Sequence, residues 1–348
     1  MSKLSRTQLI NAFSILGAYL NNADSQLLEI ISTERQYNAW FTTDNVTQGI
    51  SAIGKTLNVE QLTTWLNNYD LDKNTTSKNI GLILAGNIPL VGFHDVLCVL
   101  VTGNHALIKA SAQDARLIKF VLQKLVAIEP GFANQFTFVE RLENFDAVIG
   151  TGSNNTSRYF EYYFSKVPHI IRKNRNSLAV LTGNETAAQL HELGHDIFDY
   201  FGLGCRNVSK LLVPKDYNFI FFFESIQTYQ AIIDHHKYNN NYDYNKSIYL
   251  VNGDKHFDNG FLLVKEDARW VSPLAVLYYE YYESLESAEQ TINEISDHIQ
   301  CVVSSMPLNM KPQVVDFGVS QQPGLMDYAD GVDTMDFLSN LYTFGERS

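Results

Sequence analysis

Apolar residues recur at helical spacing along the first 70 positions. Leu9, Ile10, Phe13 and Leu16 form one stripe, Leu27, Leu28, Ile30 and Ile31 a second, and Val59, Leu62 and Trp65 a third. The stretch DLDKNTTSKN, 70–79, is polar and turn-rich, so a sheet is expected to begin after it. From residue 80, short apolar runs alternate with helical patterns. IGLILA is followed by a helix after Pro89, HALIKA by a helix through LIKFVLQKLVAI, and FTFV and DAVIG by a helix from Ser153. This alternation predicts a doubly wound α/β parallel sheet, whose crevice at the strand ends is the usual seat of a nucleotide. SLAVL predicts a further strand, then a helix over about 187–200, and KLLVP opens a second α/β unit. Residues 215–236 read as helical, KYNNNYDYNKS as a polar loop, 261–282 as strands, 285–296 as a helix and QCVVSS as a strand. The expected organisation is a helical lead-in and dinucleotide-binding domain over 1–175, a catalytic domain over 176–310, and a tail, 311–348, packing back on the core.

Composition narrows the partners. A chain of 348 residues with 45% hydrophobic content can bury a substantial core. A formal charge of -12 argues against nucleic acid or an anionic membrane surface as the main partner, and leaves small anionic ligands open. Cys98, Cys205 and Cys301 are too widely spaced for a zinc ribbon or a CxxC pair, and an odd count suits a reducing compartment, so a cytoplasmic location is expected. No apolar run is long enough to span a bilayer.

Three stretches carry candidate chemistry. In FGLGCRNVSKLLVP, Cys205 sits in a glycine-flanked bend, where Gly202 and Gly204 permit the sharp turn an oxyanion-stabilising thiolate site needs. In the sheet region, HALIKAS places Lys109 and Ser111 at a strand end, and IGTGSNNT places Gly152 and Ser153 at a helix start suited to phosphate. A competing motif is HELGH, His191 to His195, which satisfies the H-E-x-x-H zinc pattern. Against a metal, Phe198 stands where the extended motif has glycine, Gly194 weakens the helix, and Asp196 puts a charge where an apolar residue is usual. No metal is expected.

GNIPLVGFHDVLCVLVTGNHALIKAS, GTGS and GLGCRNVSKLLVP, in this order, resemble the aldehyde dehydrogenase superfamily, and more narrowly its LuxC-type acyl-CoA reductase branch. The QQPGLMDYADGVDT tail also looks like that branch. The resemblance implies an aldehyde-dehydrogenase-like fold: a Rossmann-type cofactor domain plus an α/β catalytic domain. It implies Cys205 as nucleophile, Asn87 as the amide that helps bind the oxyanion, and Lys109, Ser111, Thr151, Gly152 and Ser153 as cofactor-binding residues. The implied reaction is NAD(P)H-dependent reduction of an acyl-CoA or carrier-bound acyl thioester to an aldehyde, and the resemblance also points to an acyl-transferring protein as a partner. The superfamily's water-activating glutamate falls at or near Arg172, where no carboxylate stands, and this favours reduction over hydrolysis. Its ribose-binding acidic residue is Ala112 here, so NADPH is preferred to NADH. The superfamily's glutamate that contacts the nicotinamide ribose falls near Arg269 or Trp270. The alternatives are a zinc hydrolase built on HELGH and a non-catalytic relative in an acyl-processing complex; Cys205 and Asn87 speak against the latter.

Overall fold

A computed structural model describes residues 3–71, 76–152 and 154–341. The chain divides into two compact units, residues 1–174 with 324–348, and residues 175–323. In the first, the helical stripes become α1 (Arg6–Asn21), α2 (Ser25–Thr33), α3 (Thr43–Thr56) and α4 (Val59–Asn67). Ser5, Asp24, Thr42 and Asn58 each cap one of these helices by accepting a backbone N–H through the side chain. Leu9, Phe13, Leu16, Leu27, Ile31, Leu62 and Trp65 are buried, whereas Leu28 and Val59 face solvent.

The first unit's sheet contains β1 (Asn79–Ile83), β2 (His105–Lys109), β3 (Phe136–Phe138), β4 (Ala147–Thr151) and β5 (His169–Arg172), interleaved with α5 (Phe93–Val101), α6 (Ala115–Ile128) and α7 (Asn154–Phe164). Its order is β3-β2-β1-β4-β5, parallel throughout. This is the doubly wound topology, and the order reverses between β1 and β4. β5 has no counterpart among the expected strands: HIIR is four residues long, and its adjacent Ile170 and Ile171 between polar ends give no alternation to read.

The second unit's sheet follows β6 (Asn176–Val180), α8 (Ala187–Phe198), β7 (Val208–Pro214), α9 (Phe219–Ser225), α10 (His236–Asn252), β8 (Phe257–Asp258), β9 (Leu263–Glu266), β10 (Val276–Tyr282), α11 (Leu285–Glu294), β11 (Ile299–Val303) and β12 (Gln313–Val315). Its order is β12-β11-β6-β7-β10-β9-β8, parallel except for the β8–β9 pair. Two expectations are overturned here. KYNNNYDYNKS lies inside α10, because Tyr238, Tyr242, Asn245 and Tyr249 recur at helical spacing and are buried, so tyrosines carry the apolar face that a polar composition hides. The expected helix over 215–236 is instead α9 followed by a 3₁₀ stretch over 227–234.

After β12 the tail re-enters the first unit. α12 (Thr334–Ser339) and the residues before it bury Leu325, Tyr328, Met335 and Leu338 in the core around α1, α4 and α5. Tyr328 accepts a hydrogen bond from Trp65 Nε1 at 2.7 Å, and Leu325 O lies 2.9 Å from His94 Nε2. Among the described residues no helix is long and apolar enough to cross a membrane.

Candidate active site

In the first unit the candidate residues collect at the carboxyl ends of β1, β2 and β4, on both sides of the point where strand order reverses. Leu84 N–H, just past β1, donates to Lys109 O at 3.1 Å and ties the two strand exits together. Gly86 then passes so close to Ser111 that an added Cβ would lie 2.4 Å from Ser111 Oγ. Asn38, buried, donates to Gly86 O at 3.4 Å. Three residues after Asn87, Leu90 takes a left-handed backbone, φ 59°, and its N–H donates to Asp114 Oδ2 at 2.9 Å. Burial pushes the Asp114 carboxyl up to about 8, the Leu90 N–H opposing this and the Glu34 carboxylate adding to it. Asn87 is half-buried and Lys109 exposed in this setting.

Across the switch point, Gly152 N–H donates to Arg172 O at 3.3 Å, so this donor already has a backbone acceptor. What Gly152 contributes is its missing side chain: a Cβ would meet Thr156 at 3.1 Å and Phe160 at 3.2 Å, and its absence lets α7 start close against β4. Thr151, the last residue of β4, is half-buried beside it, and Ser153 lies outside the described residues. Gly86 and Gly152 thus each let the backbone come close to a neighbouring side chain beside the crevice.

Arg172 has a structural role. It is buried, both terminal nitrogens donate to the Asp95 carboxylate, and one also donates to Thr334 Oγ1 at 3.1 Å. Burial opposes its charge, but Asp95 outweighs this and holds its pKa above the ordinary arginine value.

In the second unit α8 ends at Phe198 and the chain turns through Tyr200 (φ 53°), Phe201 (φ 61°), Gly202 (φ 77°) and Gly204 (φ 101°) before Cys205. Left-handed backbone at two aromatic residues costs on the order of 1 kcal/mol or more each, and glycine spares the other two that cost. Offsetting contacts are at hand: Tyr200 is buried, and the Phe201 ring centroid lies 4.1 Å from that of His235, the rings tilted by 33°. Cys205 is half-buried, while Cys98 and Cys301 are buried. Burial pushes the Cys98 thiol well up, which keeps it protonated and unreactive. Arg206, buried, reaches toward Gln313 Oε1 and Ser320 O at 3.4–3.5 Å.

The HELGH segment serves packing. The Tyr229 ring lies against both imidazoles, with centroids 5.2 Å from His191 and 5.5 Å from His195, and a Cβ at residue 194 would sit 2.1 Å from it. Asp196 accepts the backbone N–H groups of Gly318 and Ser320 at 2.7 and 2.9 Å, so the charge that looks misplaced in sequence fixes the 318–320 loop. Burial pushes Asp196 up to about 6, against those two donors. Among the described residues no three His, Cys, Asp or Glu side chains converge as a metal site needs. Trp270, near the expected position of the nicotinamide-ribose glutamate, covers the buried Lys210, whose ammonium lies 4.1 Å from its ring centroid.

The fold has many solved counterparts. An aldehyde dehydrogenase from Physcomitrella patens, in complex with the reaction product succinate, matches with TM-score 0.68 at 12% identity over 97% of this chain and 84% of its own. An indole-3-acetaldehyde dehydrogenase from P. syringae, in complex with NAD+, gives 0.64 at 14% over 87% and 72%. An aldehyde dehydrogenase from Pseudomonas aeruginosa gives 0.63 at 12% over 88% and 73%. At such identities the likeness establishes the aldehyde dehydrogenase fold. No curated protein sequence matches the chain. The family model described as acyl-CoA reductase (LuxC) matches residues 22–220, a span that runs from the lead-in helices through the first sheet and past the Cys205 turn. Since that span is more than half of the chain, the protein belongs to the acyl-CoA reductase (LuxC) family, aldehyde-forming oxidoreductases.

Proposed function

We propose that the protein reduces an acyl thioester, acyl-CoA or a carrier-bound acyl group, to an aldehyde through an acyl-enzyme on Cys205. The observation that carries this reading is the contrast among the three thiols: Cys205 alone is partly exposed, on a turn with strained backbone. The Cys205 thiolate attacks the thioester carbonyl carbon, the C–S bond to the donor breaks, and the donor thiolate departs and takes a proton. Asn87 supplies an amide N–H to the oxyanion that forms.

The crevice beside Gly86 and Gly152 suits a nicotinamide dinucleotide, held by Lys109, Ser111, Thr151, Gly152 and Ser153. When bound, the dinucleotide supplies the hydride that the acyl carbon accepts. Collapse of the resulting oxyanion returns the C–S electron pair to Cys205 and frees the aldehyde. Ala112 leaves room for a 2'-phosphate without charge repulsion and favours NADPH. The reductive direction is supported at Arg172: the neighbouring carboxylate, Asp95, is occupied by the guanidinium, and a thioester without a base to activate water hydrolyses slowly.

The test is an acyl-CoA series scored by NADPH consumption and aldehyde formation, with mass spectrometry of the protein incubated without cofactor. A persistent acyl group on Cys205, discharged as aldehyde when NADPH is added, is expected. Rapid spontaneous release as free acid would overturn the reductase reading.

A further inference from the structure

Ser177 occupies an unusual place in the second sheet. It lies near the amino end of β6, where the ladders to both neighbouring strands lose register. Toward β7 the pairing jumps from Ser177↔Val208 to Leu178↔Lys210, leaving Ser209 as an extra residue. Toward β11 it shifts between Ile299 and Val302. Such bulges bend a strand and re-aim its neighbours, and they gather beside active sites.

At this break the Ser177 side chain does what the ladder does elsewhere. Its hydroxyl donates to Cys205 O at 3.0 Å, and its own N–H donates to Asn207 O at 3.1 Å, so one residue grips the exit of the nucleophile turn at two points. On the other side Oγ accepts Cys301 N–H at 3.3 Å and lies 3.1 Å from Cys301 Sγ. A serine hydroxyl has one proton, and a carbonyl oxygen can only accept. The proton therefore goes to Cys205 O, and the Cys301 thiol is the donor toward Ser177 Oγ. A carboxylate in this role would oppose formation of a thiolate at Cys205, and a hydroxyl does not.

We infer that Ser177 is a positioning residue for the nucleophile, holding the strained Tyr200–Cys205 turn through the Cys205 carbonyl. The inference rests on the reading of Cys205 as the nucleophile. It predicts that loss of the hydroxyl, in folded protein, lets the turn relax and slows chemistry at Sγ. A misplacement of about an ångström at a reacting atom costs up to roughly 100-fold.

The experiment uses the full chain and iodoacetamide, a probe of Cys205 that needs neither acyl donor nor cofactor, with the modified cysteine located by peptide mass spectrometry. Ser177→Ala is expected to slow Cys205 alkylation by roughly 10-fold or more, while Ser177→Thr, which keeps the hydroxyl, stays within about threefold of the unmutated rate. Cys301→Ala keeps the hydroxyl and its bond to Cys205 O and is expected to stay within the same margin. Alkylation of folded Ser177→Ala at the unmutated rate overturns the inference. If Ser177→Ala fails to fold, the other two variants decide: slowing of roughly 10-fold in either, despite the intact hydroxyl, overturns it as well. Absence of acyl transfer from octanoyl-CoA to Cys205 in the unmutated protein would instead remove the nucleophile reading, and the alkylation rates would still report the link between Ser177 and Cys205.

Discussion

The two units present their candidate residues at opposite ends of their strands. In the first, Asn87, Lys109, Ser111, Thr151 and Gly152 follow the carboxyl ends of β1, β2 and β4, around the switch point where a doubly wound sheet opens a crevice without special devices. In the second, Cys205 precedes the amino end of β7, where topology provides no crevice, and the turn is built from left-handed backbone and broken ladder register. Their anchors differ accordingly. The Asn87 turn hangs on a buried carboxyl, Asp114, and the neighbouring β5 on an Arg172–Asp95 ion pair; the Cys205 turn is gripped by a neutral hydroxyl. A binding crevice tolerates ionisable anchors. For a thiol proposed as nucleophile, a neutral hydroxyl is a better anchor than a carboxylate, whose charge would oppose ionisation.

The sharpest way to break this contrast is at Cys205. Cys205→Ser is expected to lower acyl-enzyme formation by roughly 1,000-fold or more, because a hydroxyl is scarcely ionised at neutral pH, while dinucleotide binding in the other unit is retained. Rapid-quench acylation with an acyl-CoA, alongside cofactor titration by fluorescence, checks both halves. Undiminished acylation would move the nucleophile elsewhere.

Next is the charged anchor. Arg172→Met leaves Asp95 buried without its partner and is expected to cost about 3–5 kcal/mol of stability, read from urea unfolding. For the same reason Arg172→Glu, which places a second carboxylate against Asp95, is expected to unfold the protein and not to turn it into a hydrolase. A stable Arg172→Glu variant that releases free acid would show that the position belongs to the chemistry after all.

A smaller effect separates the two anchoring modes by pH. The Asp114 carboxyl is raised from an ordinary value near 4 to about 8 in the folded protein, so folding favours its protonated form. Its contribution is complete below the unfolded value and is lost as pH rises through about 8, with a slope of up to about 1.4 kcal/mol per pH unit in between. Asp196, raised to about 6, acts in the same sense but ceases to matter above that pH. Asp114→Asn keeps an oxygen for the Leu90 N–H and removes the titration. Its urea midpoint is therefore expected to fall less than that of the unmutated protein between pH 6.5 and 8.5, and parallel curves would contradict the assignment.

The smallest effect is expected at Cys98, fully buried on α5. Cys98→Ala removes one sulfur from the first unit's core, should cost about 1–2 kcal/mol, and should leave the rate of aldehyde formation essentially unchanged. Loss of acylation in folded Cys98→Ala would give that thiol a role which its burial argues against.

The elements that were legible in the sequence are those whose signal is local. Helical stripes such as Leu9, Phe13 and Leu16, the alternation of apolar runs with helices from residue 80, and the glycines around Cys205 each reflect a preference that a few neighbouring residues satisfy by themselves. The resemblance carried by Asn87, Lys109, Gly152 and Cys205 rests on short motifs of the same local kind. What escaped depends on partners far along the chain. α10 buries tyrosines whose polar hydroxyls find outlets such as Phe261 O, so a polar string becomes a packed helix only once the sheet beneath it exists. Arg172 meets Asp95 and Thr334, 77 and 162 positions away, and this distinguishes a structural cation from a vacant catalytic position. Asp196 finds its donors 122 and 124 positions on, and Ser177 its thiol 124 positions on. A local pattern fixes what a segment prefers to be; only chain closure decides which buried polar group answers which, because that pairing is a property of distance in space.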